Sequence, residues 1–212
     1  MLKKISFRLI NILYFFIGTF LTSLGIVTLV QSNIGPDPWS VLHVGISLHI
    51  PLTTGKINSI IGVSLLLLYL PMKAKPNIYT IINAYFVGFF IDFINKNSFV
   101  SPPLTTSWSF VYLILGILIF GVGTGIYGSF ACSSRDNLIA SLAILTKQKP
   151  KITKIIFEFI IVIIGTILGG PGSIGTLLFM GSVGHVINWA RKNLKLPSFE
   201  VQPSSYNEEE SL

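Results

Sequence analysis

Gly35-Pro36-Asp37-Pro38-Trp39-Ser40-Val41-Leu42-His43-Val44-Gly45-Ile46-Ser47-Leu48-His49-Ile50-Pro51 is the stretch on which the fold turns. Prolines bound it at both ends, because a proline inside a helix removes a hydrogen bond and clashes with the preceding turn. The helix left between them, Trp39–Ile50, is about 18 Å long at about 1.5 Å per residue. The hydrocarbon core of a bilayer is about 30 Å thick. The stretch therefore reads as a half-helix or re-entrant segment, and Asp136–Thr146 reads the same way.

Six other segments are long enough to cross a bilayer, near residues 7–31, 56–71, 77–95, 109–130, 152–169 and 173–190. Between them lie turn residues: Pro71 to Pro76, Pro102-Pro103 and Gly169-Gly170-Pro171-Gly172. The first segment follows Lys3, Lys4 and Arg8, as a signal peptide would. Its apolar core exceeds 20 residues and no small-residue cleavage site follows, so it reads as a retained first helix. Composition agrees, with 51% hydrophobic and 11% charged residues. An average soluble domain carries about 25% charge. An ordinary soluble domain and an intrinsically disordered chain are both excluded.

The net charge of +7 does not point to nucleic acid, because the basic residues sit in small groups between apolar runs rather than on one face. They set orientation instead. With the N-terminus inside, six spans place Lys3, Lys4, Arg8, Lys73, Lys75, Arg135, Lys147, Lys149, Lys151, Lys154, Arg191, Lys192 and Lys195 on the cytoplasmic side. Only Lys56 and Lys96 are then outside, a bias of 13 to 2. Eight spans would give 12 to 3, so charge prefers six only slightly and segment length is the better criterion. The expected fold is all-α: a polytopic membrane helix bundle of six spans plus two short half-helices. It lies in the plasma membrane with both termini cytoplasmic and the lipid bilayer around it. The tail, 194–212, carries Pro197, Pro203 and Glu208, Glu209 and Glu210, and reads as a disordered cytoplasmic end.

Sliding the chain on itself by 96 residues aligns Tyr14–Asn97 with Phe110–Asn193 without a gap. Spans meet spans and the short segments meet each other. Only 11 of 84 positions are identical, but seven of those fall in the 20 pairs from Ile78/Ile174 to Asn97/Asn193. The repeats are 1–98 and 99–193. Three spans and a half-helix per repeat would turn the second upside down, a plan common among secondary transporters.

Few residues offer chemistry. Asp37, between two prolines, either caps the short helix or lines a cavity with backbone polar groups. Trp39 beside it reads as an interfacial anchor. Ser133-Ser134-Arg135-Asp136-Asn137 is the equivalent site, where Asp136 caps the second short helix. Arg135 there is either another inside charge or an anion-binding group at a helix N-terminus. Glu158 sits two turns inside an apolar helix, where facing lipid would cost about 2.5 kcal/mol or more. It is expected to face protein or water, paired with Arg135 or acting as a proton or substrate site. His185 and Asn188 share a face of the last helix, where His185 is either a packing residue or a partner of Glu158 in a proton relay. His43 and His49 lack acidic or cysteine partners, so no metal site is expected. Cys132, the only cysteine, excludes an intrachain disulfide and reads as a packing residue.

Gly123-Val-Gly125-Ile-Tyr-Gly128 matches a dinucleotide-binding pattern, but no strand precedes it and it lies within a membrane helix. Gly121 to Gly125 and Gly165 to Gly169 fit close helix packing instead. No catalytic constellation appears, so no enzyme activity and no cofactor are expected.

The Gly35–Gly45 stretch resembles the first signature of the bacterial YczE/YyaS/YitT-like integral membrane proteins. Ser134-Arg135-Asp136-Asn137-Leu138 resembles their second, with Ser134 where the family usually has proline. Ser40 likewise stands where an acid is common. Glu158 and Gly169-Gly170-Pro171 through Gly175-Thr176 match later positions, and the resemblance covers roughly 7–191. It implies a multi-spanning protein of the bacterial plasma membrane and supplies no settled activity. Two functions follow as expectations. The first is a transporter-like protein for a small, anionic solute, held by Arg135, Asp136, Glu158, Asp37 and Trp39 with His185 secondary. The second is a membrane scaffold or regulator that uses the acidic tail and basic loops as contacts.

Overall fold

The computed structural model describes residues 2–69, 78–130 and 133–194, with side chains from residue 11 onward and not at residue 69. Cys132, Lys73, Lys75, Lys195 and the acidic tail lie outside the described residues, as do the side chains of Lys3, Lys4 and Arg8. Among the described residues there are eight helices and no strand. They are α1 (Leu2–Gln31), α2 (Pro38–Ser47), α3 (Thr54–Tyr69), α4 (Ile78–Lys96), α5 (Thr106–Tyr127), α6 (Ser134–Leu145), α7 (Pro150–Ile167) and α8 (Ile174–Asn193).

Both short segments are short helices. α2 has 10 residues and α6 has 12, so they reach about 15 and 18 Å. Each starts on a side-chain cap. Asp37 accepts from the Ser40 N–H at 3.2 Å, with Pro38 at the first helical turn. Ser133 accepts from the Asp136 N–H at 3.1 Å. The cap of α6 is therefore Ser133, one turn before the expected Asp136. The two caps mirror each other: Ser40 donates its hydroxyl to Asp37, and Ser133 donates its hydroxyl to Asp136 at 2.8 Å. The same Asp–Ser pair is used with the order reversed.

Among the described residues, three helical segments are both long and apolar enough to cross a membrane: Asn11–Gln31 of α1, α4 and α5. α3 is apolar but shorter. α7 and α8 have 18 and 20 residues, but Lys151, Lys154 and Glu158 interrupt α7 and Arg191 and Lys192 end α8. Three charged residues within α7, and His185 and Asn188 together with the charged last turn of α8, set these two apart from α1 and α5.

α1 and α5 pack along their lengths with glycine at the contacts. A Cβ on Gly18 would strike the Tyr127 backbone, one on Gly25 the Phe120 backbone, and one on Gly116 the Leu29 side chain. As α1 runs from 18 to 29, its partners on α5 run backward from 127 to 116, so the two helices are antiparallel. Small residues let backbones approach this closely. Polar residues in this seam satisfy themselves locally: Thr19, Thr22, Ser23 and Thr28 donate to carbonyls four residues earlier at 2.8–2.9 Å. Gly121 and Gly125 face Val186 and Ala190 of α8, which is the expected packing role.

The short helices cross over. α2 packs on α7, where Gly45 and Gly165 meet, and α6 packs on α3. One apolar cluster joins Trp39 and Leu42 of α2, Leu65 and Leu66 of α3, Leu138 of α6 and Ile161 of α7. The α1–α2 loop is tied to the start of α8 by the Gly175 N–H donating to the Ile34 carbonyl at 3.0 Å. Gly35 at φ 123° is needed there, because a side chain would strike Ser173 and Thr176.

Candidate functional site

The N-termini of α2 and α6 open onto the same cavity, of about 110 Å³. Its walls pair up at a spacing of 96 residues: Asp37 with Ser133, Pro38 with Ser134, Trp39 with Arg135, Asn58 with Lys154, Gly62 with Glu158, Asn83 with Phe179 and Val87 with Val183. Asp37, Trp39, Arg135, Asp136 and Glu158 all line it. His185 does not; it lies exposed on α8.

Arg135 is placed by the first turn of α6. Its guanidinium carbon lies 4.7 Å from the centroid of the Trp39 ring, a cation–π contact. One terminal nitrogen donates to the Asn58 side-chain carbonyl on α3. Neither partner is anionic, and no carboxylate among the described residues reaches ion-pair distance. The expected Arg135–Glu158 pair does not form. Glu158 meets Lys154 at 3.8 Å, one helical turn away, and Lys154 meets Asp136 at 3.4 Å. Lys154 thus takes both carboxylates and leaves the guanidinium to neutral groups. A guanidinium has five N–H donors in a planar fork, and a single one is used on Asn58.

Trp39, expected as an interfacial anchor, is buried within the protein. It is 5% exposed, under Arg135, with its ring 6.0 Å from that of Phe157. Asp37 does both things expected of it: it caps α2 and lines the cavity. Glu158 faces the cavity rather than lipid, its side chain 15% exposed. His43 is 2% exposed with no hydrogen-bond partner for Nε2, and His49, beyond the far end of α2, has Nε2 3.1 Å from the Leu168 carbonyl oxygen. Among the described residues no group of three or more histidine, cysteine or acidic side chains is placed to hold a metal.

Reading residues singly passed over Lys154, Asn58 and Asn83. Lys154 carried two signals, its i,i+4 spacing to Glu158 and its place in the repeat opposite Asn58. Asn83, inside α4, donates to Thr19 Oγ1 at 3.3 Å and had the signal of a polar amide within an apolar run.

A family described as "Family of unknown function (DUF6198)" matches residues 9–192. The chain is 31% identical over 172 residues to "Uncharacterized protein YyaS" of Bacillus subtilis, covering 78% of this chain and 85% of the relative. It is 28% identical over 182 residues to "Uncharacterized membrane protein YczE" of the same organism, covering 84% and 83%. An "Uncharacterized protein" of Haemophilus influenzae is 25% identical over 186 residues, covering 87% and 84%. No solved structure matches the chain.

Proposed function

The chain belongs to the DUF6198 family of YczE/YyaS-like proteins, and on that premise we propose that it is a membrane transporter for a small anionic solute, which it binds between two inverted halves. The observation that carries this reading is Arg135: a cation whose direct side-chain contacts, Trp39 and Asn58, are neutral, at a helix N-terminus, on a cavity built from both halves. Helix N-termini attract anions through their free N–H groups and dipole. Here α2 and α6 both start at one cavity; the α2 end is already capped by the Asp37 carboxylate, and the α6 end carries Arg135. Beside it Lys154 faces both Asp136 and Glu158, which leaves the Arg135 guanidinium outside ion-pair distance of either.

Inversion is supported by the antiparallel course of α1 and α5, which are equivalent at the 96-residue spacing. Six spans and two half-helices then follow, with both termini cytoplasmic. Two inverted halves exchange conformations to expose the site to one side and then the other. The pair α3–α4 is closed, whereas its equivalent α7–α8 is not packed.

The test is uptake by proteoliposomes of a panel of labelled small anions: phosphate, sulfate, and mono- and dicarboxylates of two to four carbons. Saturable uptake of at least one is expected, abolished by Arg135→Ala and strongly reduced by Glu158→Gln. Uptake unchanged by both substitutions, or no uptake of any anion by folded protein, overturns the reading.

A further inference from the structure

A second concavity lies outside the central site, on the outward face of the α3–α4 pair. It is an open groove of about 740 Å³. Its upper end holds Lys56 and Lys96, and its floor and walls are mostly apolar, with Ile60 and Val63 from α3 and Tyr85, Phe89 and Phe93 from α4. These are the two basic residues that the orientation rule leaves on the sparsely charged side of the chain. They come from opposite ends of the sequence of this hairpin, the start of α3 and the end of α4, and converge at one mouth.

Asp92 is the one carboxylate in the groove, and it is already engaged. It accepts from Thr53 Oγ1 at 2.6 Å and from the Gly55 N–H at 3.1 Å. Neither lysine forms an ion pair among the described residues. The mouth therefore carries net positive charge above an apolar channel. From Lys96 to Tyr85 the channel runs about 16 Å along α4. That is about half of a 30 Å hydrocarbon core, the depth of one leaflet.

We propose that this groove holds one anionic phospholipid, its phosphate between Lys56 and Lys96 and an acyl chain along Ile60, Val63, Phe89 and Phe93. Charge and depth both select this occupant. A second copy of the chain docked by two-fold symmetry through the same groove would bring four lysines together. A lipid bound here rests on the closed α3–α4 face and is independent of whether anything is transported.

Native mass spectrometry of the purified full chain, incubated with equal phosphatidylglycerol and phosphatidylcholine, tests it. One phosphatidylglycerol is expected to be retained in preference to phosphatidylcholine. Removing one lysine should lower that preference about five-fold, and Lys56→Gln with Lys96→Gln about thirty-fold. Lys192→Gln, at the end of α8, should leave it unchanged. Val63→Trp fills the channel without touching charge and should reduce retention of both lipids. Equal retention of the two lipids by the unaltered chain, a preference that survives the double substitution, or a lipid-free dimer that Val63→Trp disrupts would each overturn the proposal.

Discussion

Between α3 and α4 the backbones touch; between α7 and α8, 96 residues further on, they stand apart. The closed pair uses small residues on α3. A Cβ on Gly55 would strike the Gly88 carbonyl, Ser59 donates to the Tyr85 carbonyl at 3.0 Å, and Gly62 lies over Ala84. Asp92 then pins the start of α3 through Thr53 and Gly55. In α7 the equivalent positions are Lys151, Ile155 and Glu158, all bulky. In α8 Ala84 becomes Met180, Tyr85 becomes Gly181 and Gly88 stays as Gly184, and both glycines have nothing within 4 Å of an added Cβ. The two pairs, equivalent at the 96-residue spacing, therefore differ in packing: glycine and serine let α3 approach α4, and the larger residues at those positions of α7 do not.

The largest expected contrast is between the two equivalent glycines. Gly88→Leu drives a side chain into the Gly55 backbone and Ser59, so it should destabilise by about 3 kcal/mol or prevent folding. Gly184→Leu meets open space and should change stability by no more than about 0.5 kcal/mol. Thermal unfolding of both variants in detergent measures this. Equal damage from the two would mean that α7 and α8 pack as α3 and α4 do.

A smaller contrast separates Asn58 from Lys154, the equivalent residues beside the cavity. Lys154→Met leaves Asp136 and Glu158 facing each other without a cation. The side chains of Lys154 and Asp136 are 45% and 43% exposed, so water screens much of the cost, and about 1–2 kcal/mol is expected. Asn58→Ala removes one neutral partner of Arg135 and should cost about 1 kcal/mol. Glu158→Gln should cost less still, because Lys154 keeps its closer contact with Asp136. A denaturant series that reverses this order would mean that Arg135, not Lys154, carries the carboxylates.

The smallest effect is optical. In a Trp108→Phe, Trp189→Phe background, Trp39 is the remaining tryptophan, and Arg135→Ala should alter its emission by removing the guanidinium above the ring. Arg135→Lys keeps the charge but not the planar fork, so it should restore less than half of the change. Full restoration would indicate that charge alone matters there.

Much of this architecture was legible before any coordinates. Pro36, Pro38 and Pro51 bounded α2, and Ser133 to Asp136 opened α6, because local capping and proline chemistry act within a turn. The 96-residue offset also set the Gly35–Trp39 and Ser133–Asn137 stretches opposite each other, although identity at only 11 of 84 positions made hydropathy the stronger signal. What local chemistry could not give was the facing of one helix toward another. His185 and Glu158 looked close because both lie toward the same end of adjacent helices, yet α7 and α8 do not pack and His185 is exposed. Trp39 looked interfacial because tryptophan favours that depth; it is buried because a guanidinium from the other half and Phe157 cover it. The Arg135–Glu158 pair failed for a similar reason, since Lys154 competes from one turn away.

On the proposed transport function, the two pairs of helices exchange states around the cavity. Spin labels at Ile155→Cys with Gly184→Cys, and separately at Lys56→Cys with Lys96→Cys, test it in lipid on a Cys132→Ser background. Two distance populations are expected for each pair, coupled in opposite senses, so that an anion which shortens the α7–α8 distance lengthens the α3–α4 distance. A single unchanging distance for α7–α8, or two pairs that move together, would contradict the account.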